Sequence, residues 1–219
     1  MMGYAVRGPS SSLLAPSIHR GSPHKHALAL TFDDGPSEGT EQVLDILQRF
    51  RAPATFFQCG MNVARLPGVT RTVLAQGHEI GNHSYSHARL YFRSKATIEM
   101  EFSRAQQTIG DAAGFVPRIM RPPYGVRWFG FREMQRNLKL MGIMWTAIAL
   151  DWKLKGSAIA SRLLHSASNG GIFCLHDGRE LQPRPDISET LRALREILPA
   201  LEDRGYKFET VSQLLCLTN

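Results

Sequence analysis

Short apolar runs alternate along the chain with stretches of amphipathic spacing. Ala27–Phe32, Ala54–Phe57, Glu79–Asn82, Ile119–Arg121, Ile143–Ala149, Ile172–Leu175 and Lys207–Thr210 predict strands. Several are apolar throughout, as strands buried on both faces are. Between them, Glu41–Phe50, Val63–Gln76, Thr97–Ala113, Phe131–Met141, Ile159–Ala167 and Ile187–Arg204 place apolar residues at i, i+3 and i+4 and predict helices. Ser37, Gly114 and Gly205 supply cap signals beside three of them. Repeated strand–helix units predict an α/β fold, a parallel sheet with helices outside, either open or closed into a barrel. Residues 26–219 read as one domain. Residues 1–25, rich in Ser, Pro, Gly, His and basic residues, read as a flexible or loosely docked N-terminal extension.

The polar residues that interrupt this pattern fall at strand ends. Asp33-Asp34 follows the first strand, His83 and His87 the third, and Arg121-Pro122-Pro123-Tyr124-Gly125 the fourth. Asp151-Trp152 follows the fifth, and His176-Asp177 the sixth. In parallel α/β barrels the C-terminal strand ends converge on one mouth, where active sites are built. Each cluster alone is weak: Asp33-Asp34-Gly35-Pro36 also suits a tight turn, and His-x-x-x-His lacks the glutamate of the zinc-protease motif. Five clusters at one mouth carry more weight.

Their chemistry is that of a metal-dependent hydrolase. A catalytic zinc takes three N or O ligands and keeps one position open. Asp34, His83 and His87 make three, and Asp33 remains beside them as a base. If Ser84–Ser86 form a helical turn, the two imidazoles share one face. One divalent cation is implied, zinc first, with cobalt, manganese or nickel also suited to two histidines and a carboxylate. Strand Ile172–Leu175 delivers His176 to the mouth. Asp151 is placed to hold and charge that imidazole. Arg121 is a fixed cation able to aim Asp33.

Composition narrows the field modestly. The chain has 219 residues, 26 Lys and Arg against 19 Asp and Glu, and a net charge of +7. The excess is scattered, without the basic runs interleaved with aromatics that nucleic-acid modules show, so no nucleic-acid partner is expected. No apolar stretch approaches the ~20 residues of a membrane span. Leu13-Leu14-Ala15 is too short for a signal-peptide core of ~7–15 residues. No targeting segment is visible, which leaves the cytoplasm or export with the signal missing. Three cysteines at irregular spacing imply no disulfide framework. A monomer is expected.

Thr31–Pro36, His83–His87, Arg121–Gly125, Asp151-Trp152 and Leu175-His176-Asp177 together resemble the five ordered motifs of the polysaccharide deacetylase family (carbohydrate esterase family 4, the NodB homology domain). The resemblance runs from about Ala27 to Leu215. It implies a distorted, incompletely closed (β/α) barrel. By the same resemblance Asp33 would be the general base, and Asp34, His83 and His87 the metal ligands. His176 would be the general acid tuned by Asp151, and Arg121 would position Asp33. The Tyr124 backbone N–H would bind the oxyanion, and Trp152 with Leu175 would wall an acetyl pocket. Ile148 stands where the family often has a polar residue three positions before the aspartate. Trp128, with Phe129, Tyr85, Tyr91 and Phe92, offers aromatic faces for pyranose rings. The implied substrate is a carbohydrate carrying N-acetylglucosamine, in chitin oligosaccharides or peptidoglycan. Acetylated xylan, or a non-sugar amide or cyclic imide, is the alternative.

Overall fold

A computed structural model describes residues 2–217; Met1, Thr218 and Asn219, the outermost residues of the two expected units, lie outside them. Among the described residues nine strands form one sheet: β1 (Ser17–Ile18), β2 (Ala27–Gly35), β3 (Ala54–Gln58), β4 (Glu79–Asn82), β5 (Ile119–Met120), β6 (Met141–Ile143), β7 (Ala147–Ile148), β8 (Gly171–His176) and β9 (Lys207–Phe208). The order is β1-β6-β5-β4-β3-β2-β8-β7, with β9 on β2, and every pairing is parallel. Helices α2 (Thr40–Arg49), α3 (Gly60–Arg65), α4 (Pro67–Ala75), α5 (Lys95–Ala113), α6 (Phe131–Leu138), α7 (Gly156–His165) and α8 (Ser188–Asp203) connect the strands, and α9 (Val211–Leu214) follows β9. The result is an open half-barrel wrapped by helices, as the resemblance implied.

Two predicted elements are each two in the structure. The helix expected over Val63–Gln76 breaks into α3 and α4. Pro67 takes the first position of α4, where its missing N–H costs nothing, and Leu66 before it leaves helical geometry at φ −127°, ψ 55°. The strand expected over Ile143–Ala149 splits into β6, beside β5 and β1, and β7, beside β8. β7 ends the sheet order on one side, while β6 stands one place in from the other end, beside the terminal β1, so the barrel opens between β7 and β1.

Alternation along β2 divides the core. Leu28, Leu30 and Phe32 pack outward with Leu175 and the faces of α2, α7 and α8, while Ala27 and Ala29 face the barrel interior with Phe57, Ile143 and Ile172. Small inward residues leave room for polar side chains at the C-terminal end. Part of the N-terminal segment is docked on the barrel. Residues Met2–Arg7 form helix α1 and β1 pairs with β6. The buried Arg127 donates to the Ser11 and Gly8 carbonyls, both at 2.6 Å. Among the described residues no helix is long and apolar enough to cross a membrane.

Candidate active site

Adjacent residues on a strand point to opposite faces, so Asp33 and Asp34 could not both face one site without a break in the ladder. The break is present. The β2–β3 register shifts between Asp33 and Gly35, and Asp34 sits in that bulge at φ 72°. Asp33 remains in register opposite His176 of β8.

Asp34 Oδ1 lies 3.3 Å from His83 Nε2 and 3.0 Å from His87 Nε2. The His83–His87 loop is a bend rather than the expected helical turn, with Ser84 and His87 at φ 64° and 52°. Short polar bonds hold it. Asn82 Oδ1 accepts from Ser84 N at 2.9 Å, and the buried Glu101 accepts from Ser86 N and Oγ at 2.9 and 2.8 Å. The two imidazoles are tilted by 50° with centroids 5.1 Å apart, and the Tyr124 ring centroid sits 4.6 Å from that of His87.

His83 Nδ1 lies 2.8 Å from the Arg121 carbonyl oxygen, so it must donate there. In neutral His83 the Nε2 lone pair then faces a carboxylate oxygen, acceptor against acceptor. Asp34 Oδ1 is buried without a hydrogen-bond partner among the described residues. A cation between them resolves the conflict, and the three donor atoms lie within 4.8 Å of one another. The donor set fits zinc-like ions. Burial acts to raise the Asp34 carboxyl, but the adjacent His83 and His87 imidazoles outweigh it and hold the group well below the usual carboxylate range.

Asp33 is gripped from the other side. Arg121 Nη1 donates to Asp33 Oδ1 at 2.7 Å and to Thr31 Oγ1 at 2.6 Å, while Nε and Nη2 donate to the Ile143 and Met144 carbonyls. The guanidinium is fully buried over the Phe57 ring, 4.2 Å from its centroid. Across the mouth, His176 Nδ1 meets Asp151 Oδ1 at 2.8 Å, and Asp151 Oδ2 accepts from His176 N and Thr190 Oγ1. Burial works to lower the His176 imidazole, yet the Asp151 charge and hydrogen bond carry it up to about 9.

These groups open into a cavity of about 560 Å³ lined by Tyr124, Trp145, Ile148, Leu150, Trp152 and Cys174 among others, a size suited to a small ligand. Tyr124 stands on a turn at φ 57°, and Trp152, 52 % exposed, meets the His176 ring edge-on at 5.2 Å. One expected wall residue, Leu175, and one expected pyranose platform, Trp128, lie elsewhere. Leu175 points outward into the core because it sits one position from His176 on β8. The strand period instead turns Cys174, two positions before His176, into the cavity. Burial, with the Asp33 charge, pushes the Cys174 thiol well up, so it is protonated and donates to Asp33 Oδ2 at 3.5 Å. Trp128 packs against the Leu90–Phe131 cluster and between Phe92 and Phe129, outside the cavity lining. One face of Tyr85 is taken by Arg104 at 3.7 Å.

Other contributors carried no sequence signal. Glu180 N donates to Asp34 Oδ2 at 2.8 Å, and its side chain accepts from Tyr124 Oη at 2.8 Å. Asn62 Nδ2 donates to the Asp34 and Glu180 carbonyls. Arg7 of α1 and Arg179 reach the cavity rim. Only the period-two rule applied back from His176 would have found one of the missed residues, Cys174.

A family profile described as Polysaccharide deacetylase matches residues 20–143. The peptidoglycan-N-acetylglucosamine deacetylase PgdA of Listeria monocytogenes is 33% identical over 206 residues, covering 93% of this chain and 42% of that protein. The chain thus spans less than half the length of that relative. A chitooligosaccharide deacetylase of Sinorhizobium fredii is 34% identical over 220 residues, covering 97% and 98% of the two chains. The crystal structure of the Bc1960 peptidoglycan N-acetylglucosamine deacetylase matches with a TM-score of 0.87 at 28% identity, over 92% of this chain and 94% of that one.

Proposed function

This chain belongs to the polysaccharide deacetylase family, and on that premise we propose that it hydrolyses the N-acetyl groups of N-acetylglucosamine in poly- or oligosaccharides, releasing acetate. Peptidoglycan glycan and chitin oligosaccharides are the substrates proposed, after the names of its relatives. The observation that carries the proposal is the pairing of three convergent donors, Asp34, His83 and His87, with a separate carboxylate, Asp33, that an arginine holds.

Asp34, His83 and His87 would hold one divalent cation, zinc first. Such a cation would bring the pKa of bound water from ~15.7 towards ~7 and would polarise a carbonyl. Asp33 takes the water proton at Oδ2, its other oxygen being occupied by Arg121. The Tyr124 N–H donates to the oxyanion that develops as the acetyl carbonyl is attacked. An amine leaves poorly as an anion, so His176 supplies its proton from Nε2, with Nδ1 fixed on Asp151. Trp152, Cys174 and Ile148 wall the acetyl group; Ile148, where relatives often carry a polar residue, makes that wall more apolar. The proposed unit is a monomer.

Acetate release from chitin oligosaccharides and from peptidoglycan, measured after EDTA stripping and reconstitution with one metal at a time, tests the proposal. The expected result is activity on at least one glycan that disappears on stripping and returns with zinc or a related ion. No acetate from either, in any reconstituted form, would reject it.

A further inference from the structure

The two oxygens of Asp33 have different surroundings. Oδ1 accepts from Arg121, whereas Oδ2 faces Cys174 Sγ at 3.5 Å. Cys174 pairs with Thr31 and His176 with Asp33 in the β2–β8 register, so the thiol and the imidazole emerge on the same inner face of β8. Asp151 occupies His176 Nδ1, which leaves Nε2 directed at the cavity. Donor atoms of Asp33, Cys174 and His176 all lie within 4.8 Å of one another. This set shares no residue with Asp34, His83 and His87, and it replaces one imidazole with sulfur.

We propose that Asp33 Oδ2, Cys174 Sγ and His176 Nε2 form a second cation site, for a thiophilic divalent ion such as cadmium or zinc in excess. Thiolate ligands select soft ions, and paired metal sites with ions about 3.5–4 Å apart are common in hydrolases. On binding, the Cys174 S–H bond breaks, an S–metal bond forms and the proton passes to solvent; no electrons are exchanged. Binding stands independently of the deacetylase reading. Its consequence rests on that reading: an ion here takes the base and the acid together and halts turnover.

The test titrates cadmium into the full chain carrying Cys216→Ser, which removes the exposed cysteine. Bound metal is counted by equilibrium dialysis, and the ultraviolet thiolate-to-cadmium absorption is recorded alongside. The parent should bind two equivalents, the absorption growing with one of them. Adding Cys174→Ser, or Cys174→Ala in case the serine variant folds poorly, should abolish the absorption. Either variant should also weaken the second equivalent about 10-fold or more, the scale of losing even a ligand's support, while the first equivalent stays as evidence of folding. A parent that binds one equivalent or none, or absorption that persists without Cys174, would overturn the second site. Acetate release in the same preparation, reconstituted with one equivalent of zinc, reports separately on the deacetylase reading.

Discussion

Arg121 Nη1 donates to Asp33 Oδ1 at 2.7 Å, and neither residue exposes more than 4 % of its surface. Removing one partner of a buried pair leaves an uncompensated charge and costs about 3–5 kcal/mol. Arg121→Met is therefore expected to lower thermal stability sharply. Arg121→Lys keeps a charge but cannot reproduce the four hydrogen bonds of the guanidinium. It should reduce kcat far more than it raises KM, with the affinity for the first metal equivalent retained. Equal changes in kcat and metal affinity would count against a positioning role for Arg121.

Metal removal should destabilise the fold. A ligand at 100 times its Kd adds about 2.7 kcal/mol, which for a domain of this size is a Tm shift of about 5–10 °C. Chelation should lower Tm by that order in protein loaded with one equivalent of zinc, while Asp34→Ala should melt at the same temperature with and without that one equivalent. A shift from one equivalent that survives in Asp34→Ala would place the first ion elsewhere.

The His176–Asp151 contact sets a pH dependence. With His176 raised to about 9, the imidazole is protonated and able to donate at neutral pH, and activity should fall on the alkaline side as that proton is lost. A cation on Asp34, His83 and His87 repels the imidazolium, so the alkaline limb of kcat is expected somewhat below 9. Asp151→Asn removes the main raising cause and leaves burial, so the limb should move down by well over one pH unit. The same pair adds stability that is complete below 6.5, the unfolded value, and lost as pH climbs through the folded one. An alkaline limb unmoved in Asp151→Asn would show that another group supplies the proton.

Arg127 ties the N-terminal segment to the barrel through two 2.6 Å bonds and through its own N–H to the Val6 carbonyl at 3.0 Å. Hydrogen bonds from a charged donor contribute about 1.5–3 kcal/mol each. Arg127→Met should therefore free residues 2–16 to proteolysis well before the barrel is cut. Since Arg7 of that segment reaches the cavity rim, glycan KM should rise as well. A cleavage pattern identical to the parent's would mean that other contacts hold the segment.

Much of this protein is determined by local pattern. The alternation of apolar strands and amphipathic helices fixes a parallel α/β architecture, because each element must bury one face or both. The acids, imidazoles and arginine at strand ends fix which chemistry is available. What sequence spacing could not decide is which way a side chain turns and which distant strand it meets. Asp33 and Asp34 share the site only because a bulge at Asp34 breaks the strand alternation, a feature set by pairing with β3. Cys174 rather than Leu175 faces the cavity because the register with β2 turns it inward. The split between β6 and β7, and the docking of residues 2–25, likewise depend on partners more than 20 positions away. Periodicity is a property of neighbours in the chain. Register, bulges and the burial of a lone arginine are settled only when non-neighbours compete for the same hydrogen bonds and the same space.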